Sequence, residues 1–348
     1  MGTEDTREPV AYSALRQEDR PSLKRLLPLP FPMSIFIEPT NRCNFRCLFC
    51  PESFSDFAEK TGGYATIDDA LFQRILDEIS YHRVTRVVRF YMMGEPLLNP
   101  RLPDMVRRTK IAGVERIEVT TNGSFLSEKL CNELLDSGLD YLRVSIYSVD
   151  EARHKTITGS ELSVATIREN IARFRRLRDQ RGKRTPFLYL KMIDAFSESE
   201  NDAFLDMYRP IADEAVIERP MNWNGFDERN VVTQTYAATG VELAEDVDSL
   251  LYRYPKHVCP FPFYSVAVNA DGDVVACCVD WNRSTKIGNL TSASLTEVWN
   301  GEALRAFRKM HLVRRRCENP SCRNCSFLFT SPDDIDTMSE DKIREILG

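Results

Sequence analysis

The sequence predicts an α/β fold, a partial (β/α)6 barrel of the TIM type followed by a small cysteine-rich module. Six short apolar runs rich in β-branched residues recur between Met33 and Arg219, which is the signature of buried strands. The segments between them carry helical spacing, and strands alternating with helices imply a parallel sheet. Nine of the ten cysteines fall into two groups, Cys43 to Cys50 and Cys259 to Cys325.

In chain order, residues 1–30 are charged and proline-containing and read as an outer arm. The barrel is expected over 31–225, with strands at Met33–Glu38, Arg86–Tyr91, Arg116–Thr120, Tyr141–Ile146, Phe187–Ile193 and Glu214–Arg219. Helices are expected where Ile67, Leu71, Ile75 and Ile79, or Ile167, Ile171 and Phe174, recur on one face. After Arg219 the pattern degrades, and 226–258 reads as a linker. The cysteine-rich module spans 259–330, a β-hairpin plus helix, and 331–348 form a helical tail capped by Ser339.

Composition sets limits on function. A formal net charge of −6 leaves no footprint for nucleic acid. The first 19 residues lack the apolar core of a secretory signal and no run reaches transmembrane length, so a cytoplasmic protein with no membrane partner is expected. In that compartment thiols stay reduced, and ten cysteines point to metal or redox chemistry rather than disulfides.

Cys43, Cys47 and Cys50 form a CxxxCxxC triplet directly after the first strand. Three thiolates on one loop can hold three irons of a cubane cluster and leave the fourth iron open. A structural zinc site would need a fourth ligand and usually arranges its ligands as separated pairs. In parallel α/β folds ligands sit beyond the C-terminal ends of the strands, so motifs at those ends matter most. Met93-Gly94-Glu95-Pro96 follows the second strand, Thr120-Thr121-Asn122-Gly123 the third, and Ser145 lies at the end of the fourth.

Cysteine triplet and ordered motifs together resemble the radical S-adenosylmethionine (SAM) superfamily, over Met33 to about Arg219. The resemblance implies a [4Fe-4S] cluster on Cys43, Cys47 and Cys50 whose open iron is chelated by SAM. Its reduction releases a 5′-deoxyadenosyl radical that abstracts hydrogen from substrate. It also implies SAM contacts at Phe49, Gly94, Glu95, Pro96, Thr121, Asn122 and Ser145, with Arg153, His154 or Lys155 as further contacts among which the sequence does not choose. An external one-electron reductant such as flavodoxin or ferredoxin is implied too.

The C-terminal module has Cys259, then Asp271-Gly272 as a hairpin turn pair, then Cys277 and Cys278, and finally Cys317, Cys322 and Cys325. A hairpin brings Cys259 and Cys277 together, and Cys322 with Cys325 supplies a second pair, so these four can saturate an auxiliary [4Fe-4S] cluster. Four cysteines in separated pairs also suit zinc. The arrangement resembles the Twitch form of the SPASM domain, without the central cysteine motif of full SPASM, and two clusters in total are expected. Cys278 and Cys317 are left over, either as substitute ligands or, for Cys278, as a hydrogen donor to a substrate radical.

A fully ligated auxiliary cluster suits electron transfer, which fits dehydrogenation of an alcohol. The expected substrate is a carbohydrate-like or aminocyclitol small molecule, with oxidation ahead of epimerisation. Tyr147, His154 and Lys191 are candidate bases by their position near strand ends. A peptide-modifying maturase is the alternative enzyme, disfavoured because only about thirty residues precede the first strand, too few for a folded recognition domain. A non-enzymatic zinc-binding module is the alternative from another class.

Overall fold

The computed structural model describes residues 21–218, 256–323, 325–333 and 335–347. Six parallel strands, β1 (Ser34–Ile37), β2 (Val87–Phe90), β3 (Arg116–Thr121), β4 (Tyr141–Ile146), β5 (Phe187–Ile193) and β6 (Glu214–Glu218), pair in sequence order. They match the expected strands to within a residue or two. Arg219, the remainder of the barrel region to 225 and the linker to 255 lie outside the described residues.

Helices between the strands start where a short polar side chain can take up free backbone N–H groups. Asp68 caps α1 (Asp69–His82), Ser127 caps α2 (Glu128–Asp136), and Asp150 caps α3 (Glu151–Thr158). Ser163 likewise caps α4 (Val164–Gln180), and Ser197 caps α5 (Glu198–Tyr208). Ile67, Ile75, Ile79, Ile171 and Phe174 are buried between helices and sheet, as their spacing predicts.

Alternation along the strands sends the other residues into the barrel, where the lining is partly charged. Glu118 on β3 is fully buried and accepts from Arg89 Nε at 3.0 Å, with Arg116 Nε at 2.9 Å on its other oxygen. Burial alone would raise its pKa, but Arg89, Arg116 and Arg143 together hold it below the usual carboxylate value.

The C-terminal module departs from the expectation of a separate hairpin. β7 (Ser265–Val268) pairs parallel with β1, Ser34 opposite Ser265, so one nine-stranded sheet runs through both parts of the chain. The expected hairpin is present as β7 and β8 (Asp273–Val275), and a further antiparallel strand, β9 (Lys286–Asn289), follows. β9 escaped the sequence reading because its Lys-Ile-Gly-Asn run has a single large apolar residue. α6 (Leu295–Trp299) and α7 (Glu302–Leu312) cover this end, and the tail is α8 (Glu340–Leu347), where Ser339 Oγ accepts from Lys342 N–H at 3.3 Å. Among the described residues no helix is long and apolar enough to cross a membrane.

Candidate iron–sulfur and SAM sites

The Cys43–Cys50 loop is anchored on three sides. The last carbonyls of α3, those of Ile157 and Thr158, accept from Leu48 and Arg46 N–H at 2.9 and 2.8 Å. Arg42 carbonyl accepts from Glu95 N–H at 2.8 Å, tying the loop to the end of β2. Asn44 Oδ1 accepts from Asn122 Nδ2 at 2.9 Å, tying it to the end of β3.

Gly94 sits at this junction with φ of +77°, and a Cβ there would lie 2.4 Å from Thr40 carbonyl oxygen and 2.8 Å from that of Arg42. The sequence suggested glycine for close approach to a ligand. The structure assigns the close approach to the cluster loop itself.

Glu95 is equally internal. Its carboxylate accepts from Leu97 N–H at 3.0 Å, Thr121 Oγ1 at 2.7 Å and Asn122 N–H at 2.8 Å, and burial pushes its pKa up to about 7. Glu95, Thr121 and Asn122 therefore form a bracket joining β2 to β3 and holding the loop, while Pro96 opens a 3-10 turn, Pro96–Leu98. Their side chains are committed to the protein, which leaves backbone groups to meet a ligand.

The three cysteines are intermediate to buried. Burial pushes the Cys43 and Cys50 thiols up to about 12 and about 11, and Cys47 well above the ordinary thiol value, with neighbouring thiols raising Cys43 and Cys47 further. Bare thiolates here would be costly, and a cationic iron core is the kind of group that offsets such a cost. The donor set fits a cluster.

Phe49 packs on the Tyr147 ring, centroids 5.6 Å apart, and the Tyr147 phenol lowers the Cys47 thiol's pKa against the larger effect of burial. Ser145 lies on β4 opposite Lys191 of β5 and remains partly exposed.

The other suggested bases and contacts have specific partners or deep burial. Burial pushes the Tyr147 phenol well above its ordinary pKa, which weakens it as a base at neutral pH. His154 is 2% exposed, with its ring 5.9 Å from that of Phe45, and burial lowers its pKa. Lys191 Nζ donates to Glu218 at 2.9 Å, Arg153 pairs with Glu200 at 2.6 Å, and Lys155 pairs with Glu161 at 2.7 Å.

At the second cluster, Cys259, Cys277, Cys322 and Cys325 line one cavity together with His311 and Arg316. Burial pushes Cys259 and Cys322 far above the ordinary thiol value and Cys325 up to about 12, while the neighbouring Cys278 thiol first, and then burial, raise Cys277. Cys317 is exposed, and Cys278 packs against the buried cluster of Phe36, Ala267 and Val275.

Among the described residues no three His, Cys, Asp or Glu side chains converge as one metal ion requires. The remaining cysteine, Cys131, is buried in the barrel core with its thiol pushed up to about 12, a structural position.

A partial barrel carrying a three-cysteine loop at one end of its parallel strands, joined to a four-cysteine cavity, defines an iron–sulfur enzyme of the radical type. Residues 37–189 match the model of the Radical SAM superfamily, and 259–326 match that of the SPASM iron-sulfur cluster-binding domain. The chain belongs to the radical SAM superfamily and carries a C-terminal SPASM-type domain. The two domains imply SAM and two iron–sulfur clusters as its cofactors.

One relative, the tungsten-containing aldehyde ferredoxin oxidoreductase cofactor-modifying protein of Pyrococcus furiosus, is 26% identical over 337 residues, 87% of this chain and 90% of the relative. Another, the S-adenosyl-L-methionine-dependent 2-deoxy-scyllo-inosamine dehydrogenase of Niallia circulans, is 24% identical over 293 residues, 84% of this chain and 92% of the relative.

Among solved structures, BtrN in complex with AdoMet and 2-DOIA superposes with a TM-score of 0.53 at 20% identity, covering 85% of this chain and 93% of that one. SuiB of Streptococcus suis bound to precursor peptide SuiA gives 0.59 at 15% identity, covering 89% and 72%. These structural likenesses establish the fold.

Proposed function

We propose that this enzyme dehydrogenates an alcohol of a carbohydrate-like or aminocyclitol small molecule. The observation that carries the proposal is the auxiliary cavity, where four thiols can saturate a cluster and leave it no position for substrate. Such a centre serves as an electron acceptor, which an alcohol-to-carbonyl conversion requires. The full-length similarity to a SAM-dependent aminocyclitol dehydrogenase supports the same substrate class.

When bound, SAM on the reduced N-terminal cluster supplies a hydrogen-abstracting 5′-deoxyadenosyl radical, and the auxiliary cluster supplies a one-electron acceptor. Cys43, Cys47 and Cys50 would hold the first cluster, and Cys259, Cys277, Cys322 and Cys325 the second. The bracket of Glu95, Thr121 and Asn122 fixes the loop, and Phe49 and Tyr147 form an aromatic wall beside it. Lys191 is held as an ammonium by Glu218 on the neighbouring strand, so within this pair the Glu218 carboxylate, and not Lys191 itself, is the group that would receive the hydroxyl proton. Flavodoxin or ferredoxin is the proposed electron donor.

A second reading, epimerisation, rests on Cys278, a partly buried thiol packed against Phe36, Ala267 and Val275. In that reading its thiol returns a hydrogen atom to the substrate carbon.

Anaerobic reconstitution with iron and sulfide analysis, followed by a dithionite assay for 5′-deoxyadenosine with aminocyclitols and sugars, tests the function. Dehydrogenation predicts a product two hydrogens lighter, formed in a one-to-one ratio with deoxyadenosine. A product of unchanged mass in H2O that gains one deuterium in D2O establishes epimerisation instead. Turnover of a peptide but no sugar overturns the substrate class, and zinc with no deoxyadenosine overturns the radical assignment.

A further inference from the structure

His311 occupies the last turn of α7 and is 1% exposed. Its Nε2 lies 3.8 Å from Cys322 Sγ, within hydrogen-bonding range for sulfur, and its ring is in contact with Phe307, centroids 4.9 Å apart. Nδ1 is buried with no hydrogen-bond partner. His311 lines the same cavity as the four cysteines.

These facts select a tautomer. A neutral imidazole carries one N–H, on either Nδ1 or Nε2, and an imidazolium carries both. A proton on Nδ1 would strand a buried donor and turn the Nε2 lone pair towards an electron-rich sulfur. With the proton on Nε2, the N–H points at Cys322, and only an acceptor is left unsatisfied.

We infer that His311 donates an Nε2–H hydrogen bond to the Cys322 thiolate and thereby raises the reduction potential of the auxiliary cluster. A hydrogen bond to a ligating sulfur stabilises the more negative, reduced state. The cluster's fitness as electron acceptor is thus set partly by a residue that is not one of its ligands. The inference rests on assigning the auxiliary cluster to this cavity and not on the identity of the substrate.

The test is substrate-free. In a background where Cys43, Cys47 and Cys50 are replaced by alanine, only the auxiliary cluster remains, and its midpoint potential is read by EPR-monitored anaerobic titration. His311→Phe keeps an aromatic ring and removes the donor, and its midpoint should move to a more negative value with iron content unchanged. His311→Gln restores an N–H and should return the midpoint towards that of the parent.

An unchanged midpoint in His311→Phe overturns the inference. So does loss of the auxiliary iron in His311→Phe, which would make the imidazole a ligand or a packing element. A His311→Gln midpoint as negative as that of His311→Phe also overturns it, because the donor would then not be the cause. Failure of the substrate proposal would leave all of these readings intact.

Discussion

Glu38 joins the two parts of the molecule through a single carboxylate: one oxygen accepts from Ala270 N–H at 3.1 Å, across 232 positions of sequence, and the other accepts from Met93 N–H at 3.2 Å. The residue ends the first strand just ahead of the cluster loop. It therefore couples the loop after β2 to the turn that follows β7.

Burial pushes the Glu38 pKa from 4.5 up to about 7. Because the folded value lies above the unfolded one, its contribution to stability is greatest below pH 4.5 and is lost as pH rises through about 7. The stability advantage of wild type over Glu38→Gln should be larger at pH 6 than at pH 8 by on the order of 1 kcal/mol. Anaerobic urea denaturation of both proteins at the two pH values checks this, and a pH-independent difference would refute it.

Gly94→Ala should disrupt the cluster loop. The added Cβ meets backbone oxygen at 2.4 Å and the positive φ is itself unfavourable, so a loss of about 2–4 kcal/mol is expected. Iron analysis should fall from about eight towards about four per chain, with deoxyadenosine formation abolished.

The unassigned cysteines give a sharper count. Cys317→Ala should retain about eight irons because Cys317 is exposed and absent from the cavity lining. Cys322→Ala should lose the auxiliary cluster and approach about four. The opposite pattern would exchange their roles.

Tyr147→Phe removes the hydroxyl that lowers the Cys47 thiol's pKa while keeping the ring beside Phe45 and Phe49. Iron content should be unchanged, and substrate oxidation should fall by no more than about tenfold, the worth of one hydrogen bond. Loss of product with SAM cleavage intact would instead identify the phenol as the base.

Much of the site was legible because chemistry-bearing residues followed predictable strands. The triplet after β1 and the motifs after β2 and β3 occupy the ends of parallel neighbours, so order along the chain became adjacency in space. Glu38 and His311 were not singled out, since each acts on a partner far away or on another helix. An Asp-x-Cys or His-x-Cys spacing would have drawn attention; a histidine eleven residues before Cys322 on a different element does not.

The roles within the motifs were also hidden. Gly94 and Glu95 read as ligand contacts, yet their geometry serves the cluster loop and the strand junction, because a sequence shows neither where a Cβ would collide nor which donors a carboxylate meets. By itself the sequence determined the alternation of strands and helices, the two thiol sets and hence the class of chemistry, for periodicity and spacing are local properties. Only the tertiary structure decided that β7 lies against β1, that both cysteine sites hang from one continuous sheet, and that His311 faces Cys322. Those facts depend on pairings between distant segments, where backbone hydrogen bonding and burial select a partner that no local pattern names.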